Sequence, residues 1–307
     1  MNLRQLHYFV RVFEMENISR AAESLHVAQP AVSQQLALLE NDLGVRLLTR
    51  GAKGVHPTQE GVLLYRHAQT ILRHVDSTRS LLAKNDDHIA GTVSMGLPSS
   101  TARMISLPLM KLVKQECPGV VLEIVDIPSA DLTKLVLQGR VDFSLSPDQQ
   151  PIKGITTMPL MVEDLFLLTH FSSTLPLNGV SIGSITDLPL ILPSLPNQLR
   201  ARVDHAFLSA RLTYNLFAEA STSAILIPAV RENVAATILP YSAAQPEITG
   251  GLIACHSLDM KLSREIVLCF SDSLPLTPAV SKVIKLVKQL IKEVVAESRW
   301  LGCRLLY

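Results

Sequence analysis

Apolar residues at the start of the chain recur at helical intervals. Leu3, Leu6, Val10 and Phe13 give a first helix a stripe to bury. A second, short helix buries Ala21, Ala22 and Leu25, with Asn17 or Ser19 as its cap. The small Ala21–Ala22 pair lets the next helix cross closely. His26 and Val27 make the turn, and Pro30 falls in the first turn of a third helix, where its missing N–H costs little. Val32, Leu36 and Leu39 then face inward. Ala28 stands at the N-cap of that helix, where Ser or Thr would add about 1 kcal/mol. Beyond it, two short apolar runs flank Arg50, Gly51, Lys53 and Gly54, which predicts a two-stranded wing with a basic tip. Thr58 opens a long helix in which Leu64, Ala68, Ile71, Val75, Thr78 and Leu82 alternate four and three residues apart. That heptad spacing predicts a helix that pairs with another helix.

The pattern changes after the polar break NDDHIAG. A strand is expected over 92–97 and a helix over 105–117, with Pro108 in its first turns. A strand over 120–125, a helix over 131–138 and a strand over 141–146 follow. A second set begins after Asp164, with 165–170 and 264–270 as crossover strands. A last helix, from 278 to about 298, packs back on the first lobe. The alternation points to a parallel sheet with helices on both faces. The tail from Trp300 to Tyr307 runs past a compact lobe and is left unassigned.

Two short helices with a tight turn, the second opening with polar side chains, are the layout of a helix-turn-helix. Its outer face carries Gln29, Ser33 and Gln34. Gln can bond an adenine edge in two places, and Ser can bond phosphate or base. Arg46, Arg50 and Lys53 lie in a stretch, 43–59, that contains no acid. The net charge is only +1, so DNA affinity has to be local and set by the few phosphates each head touches. A chain of 307 residues has room for two or three domains. No charged-then-apolar leader opens it, and no uncharged apolar run reaches the ~20 residues a membrane helix needs, so a cytoplasmic protein with no membrane partner is expected. Cys117, Cys255, Cys269 and Cys303 form no CxxC pair and have no metal-ligand spacing, so they are expected to be ordinary thiols. P-loop and HExxH motifs are both missing. No catalytic residue, metal or cofactor is assigned, and an enzyme is not expected.

The run LRQLHYFVRVFEMENISRAAESLHVAQPAVSQQLALLENDLGVRLLTR, followed by HPTQEG, resembles the LysR-type transcriptional regulators. AQPAVSQQ, with Ala28 in place of the more usual Ser, looks like the nitrogen assimilation control subgroup. GRVDFSL resembles the family's helix-to-strand turn. The resemblance implies an α/β protein overall: an N-terminal winged helix-turn-helix (1–60), a dimerising linker helix (61–90) and a two-lobed, periplasmic-binding-protein-like effector domain (91–307). One lobe spans about 91–164 plus 268–307, the other about 165–267. It also implies double-stranded DNA, a small-molecule effector, a homodimer or homotetramer and RNA polymerase as partners. Gln29, Pro30, Ser33 and Gln34 then open the recognition helix, and Arg50 lies in the wing. The DNA site is expected to be an interrupted dyad.

In open α/β sheets, ligands sit beyond the carboxyl ends of strands, often at helix N-termini. Pro98, Ser99, Ser100 and Thr101 follow Leu97, and Ser129 follows Val125. In the second lobe, Pro193, Ser194 and Asn197 follow one strand end and Ser221 and Thr222 another. In the family these positions line the cleft between lobes, although ordinary helix capping accounts for any one of them equally well. Asn233, in VRENVAATILP, stands where the family usually has Gly. Arg103, Arg200 and Arg202 are the few basic residues near the proposed cleft, so an anion is allowed but not demanded. Two alternatives stay open: a regulator that needs no effector, and a small-molecule-binding protein with a vestigial DNA head.

Overall fold

The computed structural model describes residues 1–51, 54–82, 89–272 and 275–307. The chain divides into two compact units, Met1–Lys84 and Asn85–Tyr307.

In the first unit, helix α1 (Leu3–Met15) starts from a reciprocal cap. The Asn2 side chain accepts the Gln5 N–H, and the Gln5 side chain accepts the Asn2 N–H. That start sets the helix phase. The buried line is Leu6, Phe9 and Val12, with Tyr8 and Gln5 beside it. The stripe expected from periodicity was offset: Leu3 is 42% exposed, and Val10 and Phe13 are half-buried. Helix α2 (Ile18–Ser24) is capped by Asn17, not Ser19, through the Arg20 N–H at 3.0 Å. It contributes fully buried Ala21 and Ala22, which pack with Val32, Leu36 and Leu39 of α3 (Gln29–Leu43). Ala28 caps α3 without a side-chain bond, and His26 takes a left-handed turn conformation at φ 55°.

Strands β1 (Leu48–Gly51) and β2 (Gly54–Pro57) form an antiparallel wing with Arg50 opposite Val55. The side chain of Arg50 and all of Lys53 lie outside the described residues. The wing is tied to α1, because the Val55 N–H donates to the Glu16 carbonyl at 2.9 Å. Gly54 allows this approach: φ is 129°, and a Cβ there would meet the Glu16 oxygen at 2.6 Å. Helix α4 (Gln59–Leu82) follows, with the Thr58 hydroxyl accepting the Gly61 N–H at 3.0 Å. Ala68 is fully buried in the helix-turn-helix core, and Leu64, Tyr65 and Ile71 pack against it. The rings of Phe13 and Tyr65 stack at 3.9 Å. Within the heptad stripe, Ala68 is therefore buried in this unit's own core, and Leu64 and Ile71 pack against that core while half-buried. The side chain of Leu82, and residues 85–88 of the polar break, lie outside the described residues.

The second unit opens with β3 (Ala90–Leu97), α5 (Ser99–Glu116), β4 (Gly119–Asp126), α6 (Ser129–Leu137) and β5 (Phe143–Pro147). β3 pairs in parallel with both β4 and β5. β6 (Ile155–His170) is a 16-residue strand, far longer than the expected 165–170. After it come β7 (Leu190–Pro193), α7 (Gln198–Ser209), β8 (Leu216–Ala220), α8 (Ser223–Arg231) and β9 (Thr237–Pro240). Then follow α9 (Gln245–Thr249), β10 (Ile253–Ser257), β11 (Ser263–Ser271), α10 (Pro278–Ala296) and β12 (Cys303–Leu305).

The large sheet runs β10-β6-β11-β5-β3-β4, with β9 and β12 also paired to β6. Every strand that meets β6 is antiparallel to it. The sheet is thus mixed rather than parallel throughout, because β6 and β11 are long strands that leave one lobe and return. β7 and β8 make a separate parallel pair. Helix α5 starts at Ser99, earlier than the expected 105, so Pro108 lies inside the helix rather than in its first turns. The tail is an integral strand. β12 pairs with Met161–Glu163 of β6, and Trp300 is 2% exposed.

Gly61 provides a test of the packing between α4 and the wing. A Cβ on it would lie 2.1 Å from the Leu47 carbonyl oxygen. Gly61→Ala should lower stability to urea by roughly 1–3 kcal/mol through overpacking. An unchanged unfolding midpoint would show that the helix start gives way freely.

Candidate nucleic-acid interface and effector cleft

Helix α3 divides cleanly by face. Val32, Leu36 and Leu39 are buried, while Gln29, Pro30 and Gln34 are exposed and Ser33 is half-buried. The Gln29 amide donates to the Ser33 hydroxyl at 2.7 Å, one turn along, which fixes both on the outer face. Arg46 projects outward, its side chain 83% exposed, with Glu40 at 3.2 Å. Glu40 had no part in the reading of the sequence, yet it organises this region. Its Oε1 accepts the Leu47 N–H at 2.8 Å and the Leu48 N–H at 3.1 Å, anchoring β1 against α3. The signal was one of two acids, Glu40 and Asp42, in the last turn of α3, which spacing alone does not distinguish from solvated charges.

In the second unit, the ends of four strands do meet. Pro98, Ser99 and Ser100 open α5, Ser129 opens α6, Asn197 caps α7, and Ser221 and Ser223 flank the start of α8. All line one small cleft of about 50 Å³ with Ile127, Pro240 and Arg264. That is room for about three or four waters or a ligand of few heavy atoms. The caps of α5 and α6 are Pro98 and Pro128, neither of which makes a side-chain cap bond. The first turns of these helices thus have no side-chain cap, although the Asp131 N–H of α6 donates to the Pro128 carbonyl at 3.0 Å. α7 and α8 are capped by their own Asn197 and Thr222. Three expected residues are not among the lining. Thr101 is fully buried with no partner for its hydroxyl. Ser194 bonds the Ala220 carbonyl through its N–H, and Thr222 turns its hydroxyl to the Ala224 N–H.

Charge is distributed differently from the sequence reading. Arg103 is held by Glu247 at 2.6 Å, Arg202 by Asp148, and Arg200 by Asp204 and Glu219. None of these three lines the cleft, whose cation is Arg264, 6% exposed. Its Nη2 donates to the Ser100 hydroxyl at 2.7 Å, and Nε and Nη2 both reach Glu163 Oε2, at 2.8 and 2.7 Å. Sequence distance hid this pair, but β-register delivers it: Arg264 lies directly across from Glu163 in the β11–β6 ladder. Asn233 takes φ 57° after α8, so an Asn supplies the left-handed turn that a Gly usually makes.

The described cysteines are free thiols. Burial pushes Cys255 and Cys303 up to about 12 and Cys269 to about 11, so they are protonated at neutral pH. Among the described residues, no group of His, Cys, Asp and Glu could hold a metal, and no helix is long and apolar enough to cross a membrane.

A winged helix-turn-helix followed in the chain by a two-lobed α/β unit with a cleft at its strand ends defines a class of DNA-binding protein with a ligand-binding type of domain. Residues 3–62 match the bacterial regulatory helix-turn-helix protein, lysR family, and residues 86–292 match the LysR substrate binding domain. The nitrogen assimilation regulatory protein nac of Klebsiella aerogenes is 34% identical over 92% of this chain and 94% of its own. Nac of Escherichia coli K12 is 33% identical over 96% of each chain. Full-length CbnR, solved in complex with its target DNA, aligns over 94% of this chain and 100% of its own with a TM-score of 0.70 at 22% identity, a likeness of fold. The chain belongs to the LysR family: it is a DNA-binding transcriptional regulator with an effector-binding domain, and not an enzyme.

Two outcomes test the local chemistry. Glu40→Ala leaves two partly buried N–H groups without an acceptor and should cost about 1–3 kcal/mol of stability, read by urea unfolding. Wild-type stability in that variant would make the contact dispensable. The thiols should react slowly with a chromogenic disulfide reagent at pH 7 and rapidly once unfolded, whereas fast labelling of the native protein would contradict their protonation.

Proposed function

We propose that this regulator binds an interrupted, dyad-symmetric operator as a dimer or dimer of dimers, and that a small molecule in the cleft shifts its geometry on DNA. The observation that carries the reading is the outer face of α3, where Gln29, Ser33 and Gln34 stand clear of a fully packed core. Gln34 reads base edges, while Pro30 starts the helix close to the backbone. Arg46, Arg50 and Lys53 supply phosphate contacts. The domains run 1–60 for DNA binding, 61–90 for the linker and 91–307 for the effector-binding lobes, about 91–164 plus 268–307 and about 165–267. The protein works in the cytoplasm, where its DNA is, and meets RNA polymerase there. The names of its relatives make genes of nitrogen assimilation the first candidates for its targets.

Self-association is supported by apolar residues left on helix and sheet edges: Leu107 of α5 and Val121 of β4, and Phe217 of β8 and Ile225 of α8, are each more than half exposed. In the cleft, Ser99, Ser100, Ser129, Asn197 and Ser221 hold the effector. Thr101, Ser194 and Thr222, which the sequence also offered, lie outside the lining. A ligand acts only through its different affinity for two arrangements of the protein. A second reading, regulation without an effector, is favoured by the small volume of the cleft and by the internal pairing of its cation.

Selection of bound genomic fragments at near-physiological salt tests the DNA reading. An enriched dyad is expected, and no enrichment over random fragments would refute it. On the selected site, Gln34→Ala should lose about 1–3 kcal/mol of discrimination between sequences, while Arg46→Ala weakens specific and random DNA alike and flattens the salt dependence. Equal effects of both variants on both DNAs would remove this division of roles.

A further inference from the structure

The chain Ser100–Arg264–Glu163–Trp300 links the cleft to the C-terminal tail. Glu163 is 1% exposed. Besides Arg264, it accepts from the Ser242 hydroxyl at 2.7 Å and from the Trp300 indole N–H at 2.8 Å, both on Oε1. Donors on both carboxylate oxygens leave this buried anion fully satisfied and unable to turn. β6 carries Glu163 between two neighbours, with Arg264 of β11 opposite it on one side and Cys303 of β12 on the other. The tail is fastened independently of this carboxylate. The Asp164 N–H bonds the Gly302 carbonyl at 2.8 Å, Arg304 pairs with Asp164 at 3.0 Å, and the Tyr307 hydroxyl bonds the Lys288 carbonyl at 2.8 Å.

We propose that Arg264 is the residue of the cleft that recognises a small anionic group, and that Trp300, acting through Glu163, is the positioning residue that aims it. This rests on the reading of the cleft as the effector site. The guanidinium faces the cleft from the start of β11, while the uncapped N-termini of α5 and α6 face it from the other lining elements. Those donors favour a carboxylate or phosphate-like group of few atoms. Glu163 holds two of the guanidinium's N–H groups, so the direction of the remaining donors depends on where Glu163 sits. The tail fixes that position. Trp300 is the single tryptophan of the chain, so its emission reports on the same contact.

The test uses the full-length protein with acetate, succinate and inorganic phosphate as probes, read by calorimetry and by tryptophan emission. Wild type should bind at least one probe, with a shift in Trp300 emission. Arg264→Lys should weaken that binding most. Trp300→Phe, which removes the N–H donor together with the five-membered ring of the buried indole, should weaken it about fivefold, the usual worth of one hydrogen bond, alongside a fall in melting temperature from the cavity left behind. Glu163→Gln serves as the second variant on the same contact. Ser221→Ala, in the cleft but outside the chain of contacts, should weaken binding while leaving the emission shift at saturation intact. Wild-type affinity in both Trp300→Phe and Glu163→Gln, with Trp300 emission unmoved by the bound probe in wild type and in Glu163→Gln, would overturn the role of the tail while leaving the cleft reading in place. If binding is indifferent to Ser221→Ala and Arg264→Lys alike, or if no probe binds, the anion site itself is refuted, together with the tail's part in it.

Discussion

Strand β6 is the constraint on which the effector-binding unit depends. It is 16 residues long, and it pairs with β11 and β12 along its first half and with β10 and β9 along its second. A strand shared in this way holds both lobes in one register, since slipping it by one residue would turn every side chain to the opposite face. It also carries Glu163 into the interior. A buried carboxylate is tolerated only when it is paired and hydrogen-bonded. Arg264, Ser242 and Trp300 meet that demand from three different parts of the chain, which makes the location of the acid a junction between strands, cleft and tail.

The DNA-binding unit is built by a related device on a smaller scale. Glu40 accepts two backbone N–H groups at the start of the wing, and Val55 donates to the end of α1. The wing is thus held by the Glu40 carboxylate and by one backbone bond to α1 in addition to its own short ladder. The core of this unit also takes in the start of α4 through Ala68 and the stacked Phe13–Tyr65 pair. These contacts fasten α3 to the rest of the unit from behind and from the side.

Charge in the effector-binding unit is balanced locally. Each arginine that sequence proximity placed near the cleft is matched by an acid and lies outside the cleft lining. What remains at the cleft is Arg264 and a ring of hydroxyls and helix starts.

The sequence by itself determined the helix-turn-helix, the wing, the strand ends that converge on the cleft and the family. Each of these is a local pattern: periodicity, a capping residue, a Gly or Pro at a turn. Its phase was less legible. The Asn2–Gln5 cap moved the buried line of α1 to Leu6, Phe9 and Val12, and the heptad of α4 was partly taken up by its own unit. Only the tertiary structure decided that the sheet is mixed, that Arg264 is the cation of the cleft, that Glu163 is buried beside it and that the tail from Trp300 is a strand. These depend on which strands lie side by side. Residues 101 positions apart in Glu163–Arg264 and 137 in Glu163–Trp300 become neighbours through register, which no short window of sequence encodes.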